Sequence, residues 1–168
     1  MFHIFSLLFL FVSWCSAETN LSLSIQVNNT ENILCRECGT QVLTSDTIIS
    51  KPSAASQHSF NDTIFSKKEV LVQLLVQDIF LRYPIITSSE ATCIGKGDWE
   101  DDDSWFPGHV MKPCFCPECG AFVGWAFEND NPTTVDSSNQ FFGLILANLI
   151  GENFVNSLLT FSSTHYGD

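Results

Sequence analysis

The stretch WEDDDSWFPGHVMKPCFCPECGAFVGWAF (Trp99–Phe127) holds three of the four tryptophans and three of the seven cysteines. Its pentapeptide CPECG, residues 116–120, repeats the pattern of CRECG at residues 35–39. In such a pair the tight turn lets both sulfurs reach one ion, and the glycine frees backbone amides to point at the thiolates. Two pairs complete a tetrahedral site, so the sequence predicts one structural zinc bound by Cys35, Cys38, Cys116 and Cys119.

The cysteines also allow a second interpretation, because an exported chain can form disulfides. A disulfide within one Cys-x-x-Cys is strained and usually redox-active, so two identical pairs favour a metal. Of the other three cysteines, Cys15 lies in the N-terminal segment that export would remove, so Cys93 and Cys114 are left over. They either pair with each other or remain two free buried thiols.

Length and composition indicate one folded domain. A chain of 168 residues can bury a core, and 45% hydrophobic content with 15 phenylalanines excludes a disordered chain. The formal net charge of -12 repels phosphate backbones, so no nucleic-acid partner is expected.

The N-terminus is typical of a secretory signal peptide. Its apolar core, residues 4–12, is short for a membrane span and is followed by small residues up to Ala17. We therefore expect cleavage after residues 1–17, a secreted protein that begins with an N-terminal segment at 18–29, and no membrane span afterwards. Asn-x-Ser/Thr tripeptides at Asn20, Asn28 and Asn61 support export as glycosylation acceptors. A buried N-terminal element or a signal anchor is the alternative.

Four motifs, in this order, closely resemble the CULT domain, the cereblon-type ligand-binding domain that also occurs in small secreted proteins. They are SWFPG (104–108), CPEC (116–119), GWAF (124–127) and FFGL (141–144). The resemblance covers roughly residues 30–150 and leaves 151–168 as a C-terminal tail. It implies an all-β fold, the β-tent, in which two antiparallel sheets meet at an angle and are pinned by structural zinc.

The resemblance also implies an aromatic cage for cyclic imides or uracil-like rings. Trp105 and Trp125 match two of the three cage tryptophans, and Phe127 matches the phenylalanine at the base. Asp103 stands where the family's backbone carbonyl accepts the imide N–H. Met111 occupies the position of the third tryptophan and provides an apolar wall without a π-face. Trp99 is a candidate substitute for that missing wall.

Local patterns place strands around these motifs. Residues 21–27 alternate as a strand, residues 39–50 resemble a hairpin, and residues 51–62 have the composition of a loop. Segment 66–84 is ambiguous: Ser66 and Glu69 form a capping-box pattern, whereas Val70 to Val76 alternate as a strand. The resemblance favours the strand, which Pro84 should end.

Together these features predict a secreted, monomeric, non-enzymatic module that binds a small planar cyclic ligand or a modified peptide end. One alternative is a structural or interaction domain whose aromatics are ordinary core around a degenerate cage. The other is an enzyme similar to methionine sulfoxide reductase B, in which Cys93 or Cys114 would have to supply the nucleophile.

Overall fold

A computed structural model of the protein describes residues 30–77, 81–101, 105–130 and 140–164, with side chains described up to residue 160. The predicted signal peptide (1–17), the predicted strand at 21–27, the acceptors Asn20 and Asn28, and Asp103 lie outside these residues.

The described part of the chain consists mainly of β-strands, as the sequence predicts. The strands are β1 (Asn32–Cys35), β2 (Gln41–Thr44), β3 (Ile48–Ile49), β4 (His58–Ile64), β5 (Lys67–Gln77), β6 (Leu81–Ser88), β7 (Ile94–Gly95), β8 (Glu100–Asp101), β9 (His109–Phe115), β10 (Phe122–Asn129), β11 (Phe141–Ile145) and β12 (Leu149–Gly151). Short 3-10 turns cover Ser45–Thr47 and Leu146–Asn148, and helix α1 spans Glu152–Thr164. Among the described residues, no helix is both long and apolar enough to cross a bilayer.

The strands form two antiparallel sheets. The small sheet has the order β12-β1-β2, and the large sheet has the order β4-β5-β6-β11-β10-β9-β7, with β3 beside β6 and β8 beside β9. The prediction of two antiparallel sheets is thus confirmed.

The large sheet carries a hydrophobic core on each face. Neighbouring residues of a strand point to opposite faces, and β10 shows this directly. Ala126 belongs to a first cluster, together with Ile33 and Val42 of the small sheet. Trp125 and Phe127 belong to a second cluster with Trp105. The predicted metal ligands Cys35 and Cys116 lie in the first cluster, so metal and aromatic sites occupy opposite faces.

The described residues of segment 66–84 form β5 and the start of β6 rather than a helix. Val70 and Val72 of β5 are buried in the first core, while Leu75 is buried in the second, so both faces of the strand are covered. Pro84 does not end the segment, contrary to expectation, because it lies within β6 opposite Leu74. The pairing of β6 with β11 begins only at Ile85, so the missing N–H of Pro84 is tolerated on an unpaired edge.

Two other local expectations are also wrong. The hairpin expected at residues 39–50 does not form, because β2 pairs with β1 whereas β3 pairs with β6. Part of the loop expected at 51–62 is strand β4, which begins at His58 and pairs with β5 along the edge of the large sheet.

Helix α1 lies in the region that the sequence analysis left as a tail. Its first turn is held by the buried Glu31, which accepts a hydrogen bond from the backbone N–H of Asn153 at 3.0 Å. The other carboxylate oxygen of Glu31 accepts the hydroxyl of Ser66 at 2.8 Å. One acidic side chain therefore caps the helix and ties it to the β4–β5 turn.

Candidate metal centre and aromatic cluster

The two Cys-x-x-Cys pairs form turns of the same geometry. The backbone N–H of Cys35 donates to the carbonyl of Thr40 at 2.8 Å, and that of Cys116 donates to Ala121 at 2.8 Å. The glycines that follow, Gly39 and Gly120, have φ of 78° and 73°, the left-handed region that glycine adopts without strain. The glycines are therefore required by backbone conformation, as the repeated pentapeptide suggests.

All four cysteines come together at one point. Their sulfur atoms lie within 4.8 Å of one another, and Cys35–Cys119 and Cys38–Cys116 are 3.7 and 3.6 Å apart. A tetrahedral ion with metal–sulfur bonds of about 2.3 Å requires sulfurs separated by about 3.8 Å. The donor set therefore fits a tetrahedral metal ion, and each of these two sulfur pairs links one turn to the other.

The electrostatics of the cluster also suit a cation. Hydrogen bonds from Thr40, through its side chain and then its backbone, lower the pKa of the Cys38 thiol to about 6. A backbone hydrogen bond at Ala121 lowers the pKa of Cys119, but lost solvation and the neighbouring thiols outweigh it and raise that pKa to about 12. Four thiolates at this spacing repel one another, so full ionisation requires a bound positive ion.

The cluster joins elements that are distant in sequence. The first turn connects β1 to β2, and the second connects β9 to β10. Within the small sheet, Arg36 donates to the carbonyl of Leu149 at 2.9 Å. Between the sheets, Asn148, which directly precedes β12, donates to the carbonyl of Phe122 in β10 at 2.8 Å. The small sheet is thus fastened to the large sheet beside the cluster, which is compatible with a structural role for a metal held there.

Cys93 and Cys114 form a disulfide that ties the segment before β7 to β9. Sequence analysis left this pairing open against two free thiols, and the structure selects the disulfide. It lines a cleft of about 370 Å³ on the same face as the first core, together with Trp99 and Lys112. The Lys112 Nζ lies 4.6 Å from the Trp99 ring centroid. Trp99 therefore lies on the face opposite Trp125 and does not replace the missing cage wall.

The predicted ligand residues Trp105, Met111, Trp125 and Phe127 do meet in one cluster, the second core. Trp125 is its centre, with edge-on ring contacts to Trp105 at 4.8 Å, Phe122 at 4.8 Å and Tyr83 at 5.2 Å. Phe127 stacks on Phe141 with ring centroids 4.9 Å apart. Met111 lies opposite Phe127 on the neighbouring strand and is partly buried.

The rings pack against one another. Trp105 is 4% exposed and Trp125 is 2% exposed, and their edge-on contact fills the space between them. A flat ligand needs about 7 Å between two walls, roughly twice the contact distance of aromatic carbons. Binding between these two rings would therefore require them to separate.

Side chains that the sequence analysis did not single out hold Trp105 in place. The hydroxyl of Ser53 donates to the backbone carbonyl of Trp105, and the Trp105 indole N–H donates to the carbonyl of Val76 at 3.2 Å. The buried Gln73 accepts the backbone N–H of Ser53 at 2.6 Å and donates to the carbonyl of Lys51 at 2.9 Å. A polar residue inside the apolar run VLVQLLV was the available sequence signal.

A pair of basic side chains lies at the edge of the aromatic cluster. The Nζ of Lys51 lies 3.5 Å from Nε2 of His109 and 4.3 Å from the centroid of the Phe141 ring. Burial lowers the pKa of the Lys51 ammonium. The cluster therefore has a basic rim on a chain with only 7 Lys and Arg residues.

Comparison with family models and with curated proteins gives no match for this chain. The CULT resemblance is therefore carried by the quoted motifs alone.

Proposed function

We propose that the chain is a secreted CULT-type β-tent module that binds a small planar cyclic ligand, such as a cyclic imide or a uracil-like ring, or a modified peptide end. The supporting observation is the convergence of Trp105, Trp125, Phe127 and Met111 in one cluster. Two of these residues lie on β10 and one on β9, the two strands joined by the second cysteine turn. A rigid pair of strands is a suitable platform for ligand-contacting rings.

Zinc is the proposed ion at the four-cysteine cluster. Four thiolate ligands in a tetrahedral arrangement are typical of structural zinc, since a catalytic site keeps one position open for water. The proposed role of Cys35, Cys38, Cys116 and Cys119 is to fix the two turns and hence the β9–β10 platform.

The closed packing of Trp105 on Trp125 leads us to expect weak binding. A ligand that enters between the rings must first separate them, and the affinity falls by the fraction of molecules in which they are apart. Met111 should weaken binding further, because a methionine side chain lacks the aromatic ring face that a third tryptophan would offer the ligand.

The same packing favours the main alternative, a structural domain with a degenerate cage. A reductase-type enzyme is a third candidate, and among the residues that the structure describes its only cysteines outside the cluster are the disulfide-bonded Cys93 and Cys114. Turnover of methionine sulfoxide by the purified protein would establish that enzyme and refute the binding module.

Tryptophan fluorescence titration with glutarimide and with uridine tests the proposal. We expect saturable quenching in the wild type and in Trp99→Phe, and its loss in Trp105→Phe. Trp99→Phe is the matched control because Trp99 lies on the opposite face of the sheet. Absence of saturable quenching in a folded wild-type protein would favour the degenerate cage.

A further inference from the structure

Strand β4 is a seven-residue, largely exposed edge strand of the large sheet. It is the terminal strand in the sheet order, with β5 as its partner in the described chain. Six of its seven residues are exposed and the seventh is half-buried. An edge of this kind presents unpaired backbone groups that can accept another strand.

The sequence of β4, HSFNDTI, contains no proline and no lysine, two residues that often protect an edge. Its protection is limited to the charge of Asp62 and to a register irregularity between Asp62 and Ile64, beyond the centre of the strand. Phe60, at its centre, is 47% exposed and lies opposite the buried Val72 of β5. Residues opposite each other in an antiparallel pair share a face, so an apolar row runs from Val72 to Phe60 and ends at the edge.

The charges on that face are arranged symmetrically about Phe60. His58 and Asp62 lie two residues before and two residues after it, opposite Leu74 and Val70. Side chains two residues apart on a strand share a face, so His58, Phe60 and Asp62 form one row. One oxygen of Asp62 accepts the backbone N–H of Thr63, which leaves the other oxygen available.

A second copy of β4 is complementary to this row. Two identical antiparallel strands can pair only in registers that place residues of the same face opposite each other. With Phe60 opposite its own copy, each His58 lies opposite an Asp62. A shift by two residues in either direction removes both pairs, since His58 then faces Phe60 or Ile64. The apolar row also becomes continuous, from Val72 through both phenylalanines to the second Val72.

We propose that β4 is a homodimerisation edge, with two chains pairing antiparallel about Phe60 to join their large sheets. Such an isologous contact has twofold symmetry and closes without further growth. This replaces the monomer expected from the sequence. A contact of five residues on each side is small beside a standard interface of roughly 1,200–2,000 Å², so we expect micromolar or weaker association.

The test is sedimentation equilibrium over a concentration series, with the full metal-loaded chain in a Thr63→Ala background. That background removes the glycosylation acceptor at Asn61 but keeps every residue from His58 to Asp62. A sugar at the edge therefore cannot confound the result, and the outcome does not depend on export.

His58→Glu should weaken the dimer by about tenfold, because two carboxylates then face each other at each end of the contact. Asp62→Lys should weaken it by a similar factor, because it replaces the hydrogen-bond acceptor opposite His58 by an ammonium group. The double variant His58→Glu/Asp62→Lys places opposite charges across the contact and should recover the affinity to within about threefold. Asp98→Lys makes the same charge change as Asp62→Lys at an exposed residue outside β4 and should have no effect. Positions 58, 62 and 98 are all at the surface, and circular dichroism checks that each variant is folded.

The proposal is overturned if the Thr63→Ala protein is monomeric up to millimolar concentration, or if the double variant stays as weak as the single variants. It is also overturned if dimers appear only after removal of residues 18–29. That result would assign the edge to the N-terminal segment of the same chain.

Discussion

Replacing Trp125 by alanine should remove the centre of the second core. The loss of a buried tryptophan side chain costs about 3–5 kcal/mol in free energy of unfolding. Trp125 also makes three edge-on ring contacts, with Trp105, Phe122 and Tyr83, and each is worth about 0.5–1.5 kcal/mol beyond its buried area. The cost of the lost side chain and that of the lost ring contacts overlap, so we expect the free energy of unfolding to fall by about 5 kcal/mol. The whole free energy of unfolding of a domain is typically about 5–15 kcal/mol.

Urea unfolding followed by far-UV circular dichroism measures this loss, since tryptophan fluorescence would change with the substitution itself. The metal content of the folded fraction should stay at one ion per chain, because the cysteine cluster lies on the other face of the sheet. Trp99→Ala is the control: Trp99 is only partly buried, and we expect a loss of about 2 kcal/mol or less. A loss below about 1.5 kcal/mol for Trp125→Ala, or one no larger than that of Trp99→Ala, would show that Trp125 is not packed as described.

Three further predictions concern the metal, export and the ligand site. Metal binding by thiolates is coupled to folding, so chelation should unfold the domain and Cys116→Ser should bring it close to unfolding. Circular dichroism follows both changes. Disulfides among Cys35, Cys38, Cys116 and Cys119 in mass spectra would contradict this prediction. N-terminal sequencing of secreted protein should start near Glu18, and an endoglycosidase should shift its gel mobility; an intact N-terminus in the cytosol would refute export. Met111→Trp should tighten imide binding by roughly tenfold in a fluorescence titration, because contact with a new aromatic ring adds up to about 1.4 kcal/mol to the binding free energy. A folded variant without that gain in affinity would refute the role of position 111.

The four-cysteine cluster could be predicted because the local backbone conformation of each turn determines where its sulfur atoms lie. Each Cys-x-x-Cys-Gly turn needs a glycine of positive φ at a fixed position, and the same backbone hydrogen bonds recur in both turns. The grouping of Trp105 with Trp125 was predicted on another basis, the family resemblance, because the periodicity of a sequence does not reveal which strands become neighbours. That the rings touch at 4.8 Å depends on side-chain packing, which no sequence pattern specifies.

The misassigned segments share a physical cause, which is that pairing partners are set by tertiary structure. Strand β4 has no buried face of its own, so its composition resembles a loop. Pro84 was expected to end a strand, but β6 is paired on only one side at that residue. Strand β3 follows β2 in sequence but completes a different sheet, because Ile48 is buried in the first core next to β6.

Strand β9 contains one cysteine, Cys114, and a second cysteine, Cys116, follows directly after the strand. Cys114 forms the disulfide with Cys93, whereas Cys116 belongs to the four-cysteine cluster. Six cysteines can pair in 15 ways, and in an oxidising compartment nothing in their spacing selects one of them. An ion that binds first withholds four sulfurs from oxidants and leaves Cys93 and Cys114 as the one pair that can be joined. The order of events during biosynthesis, metal before oxidant, would then determine whether a newly made chain acquires its correct covalent structure.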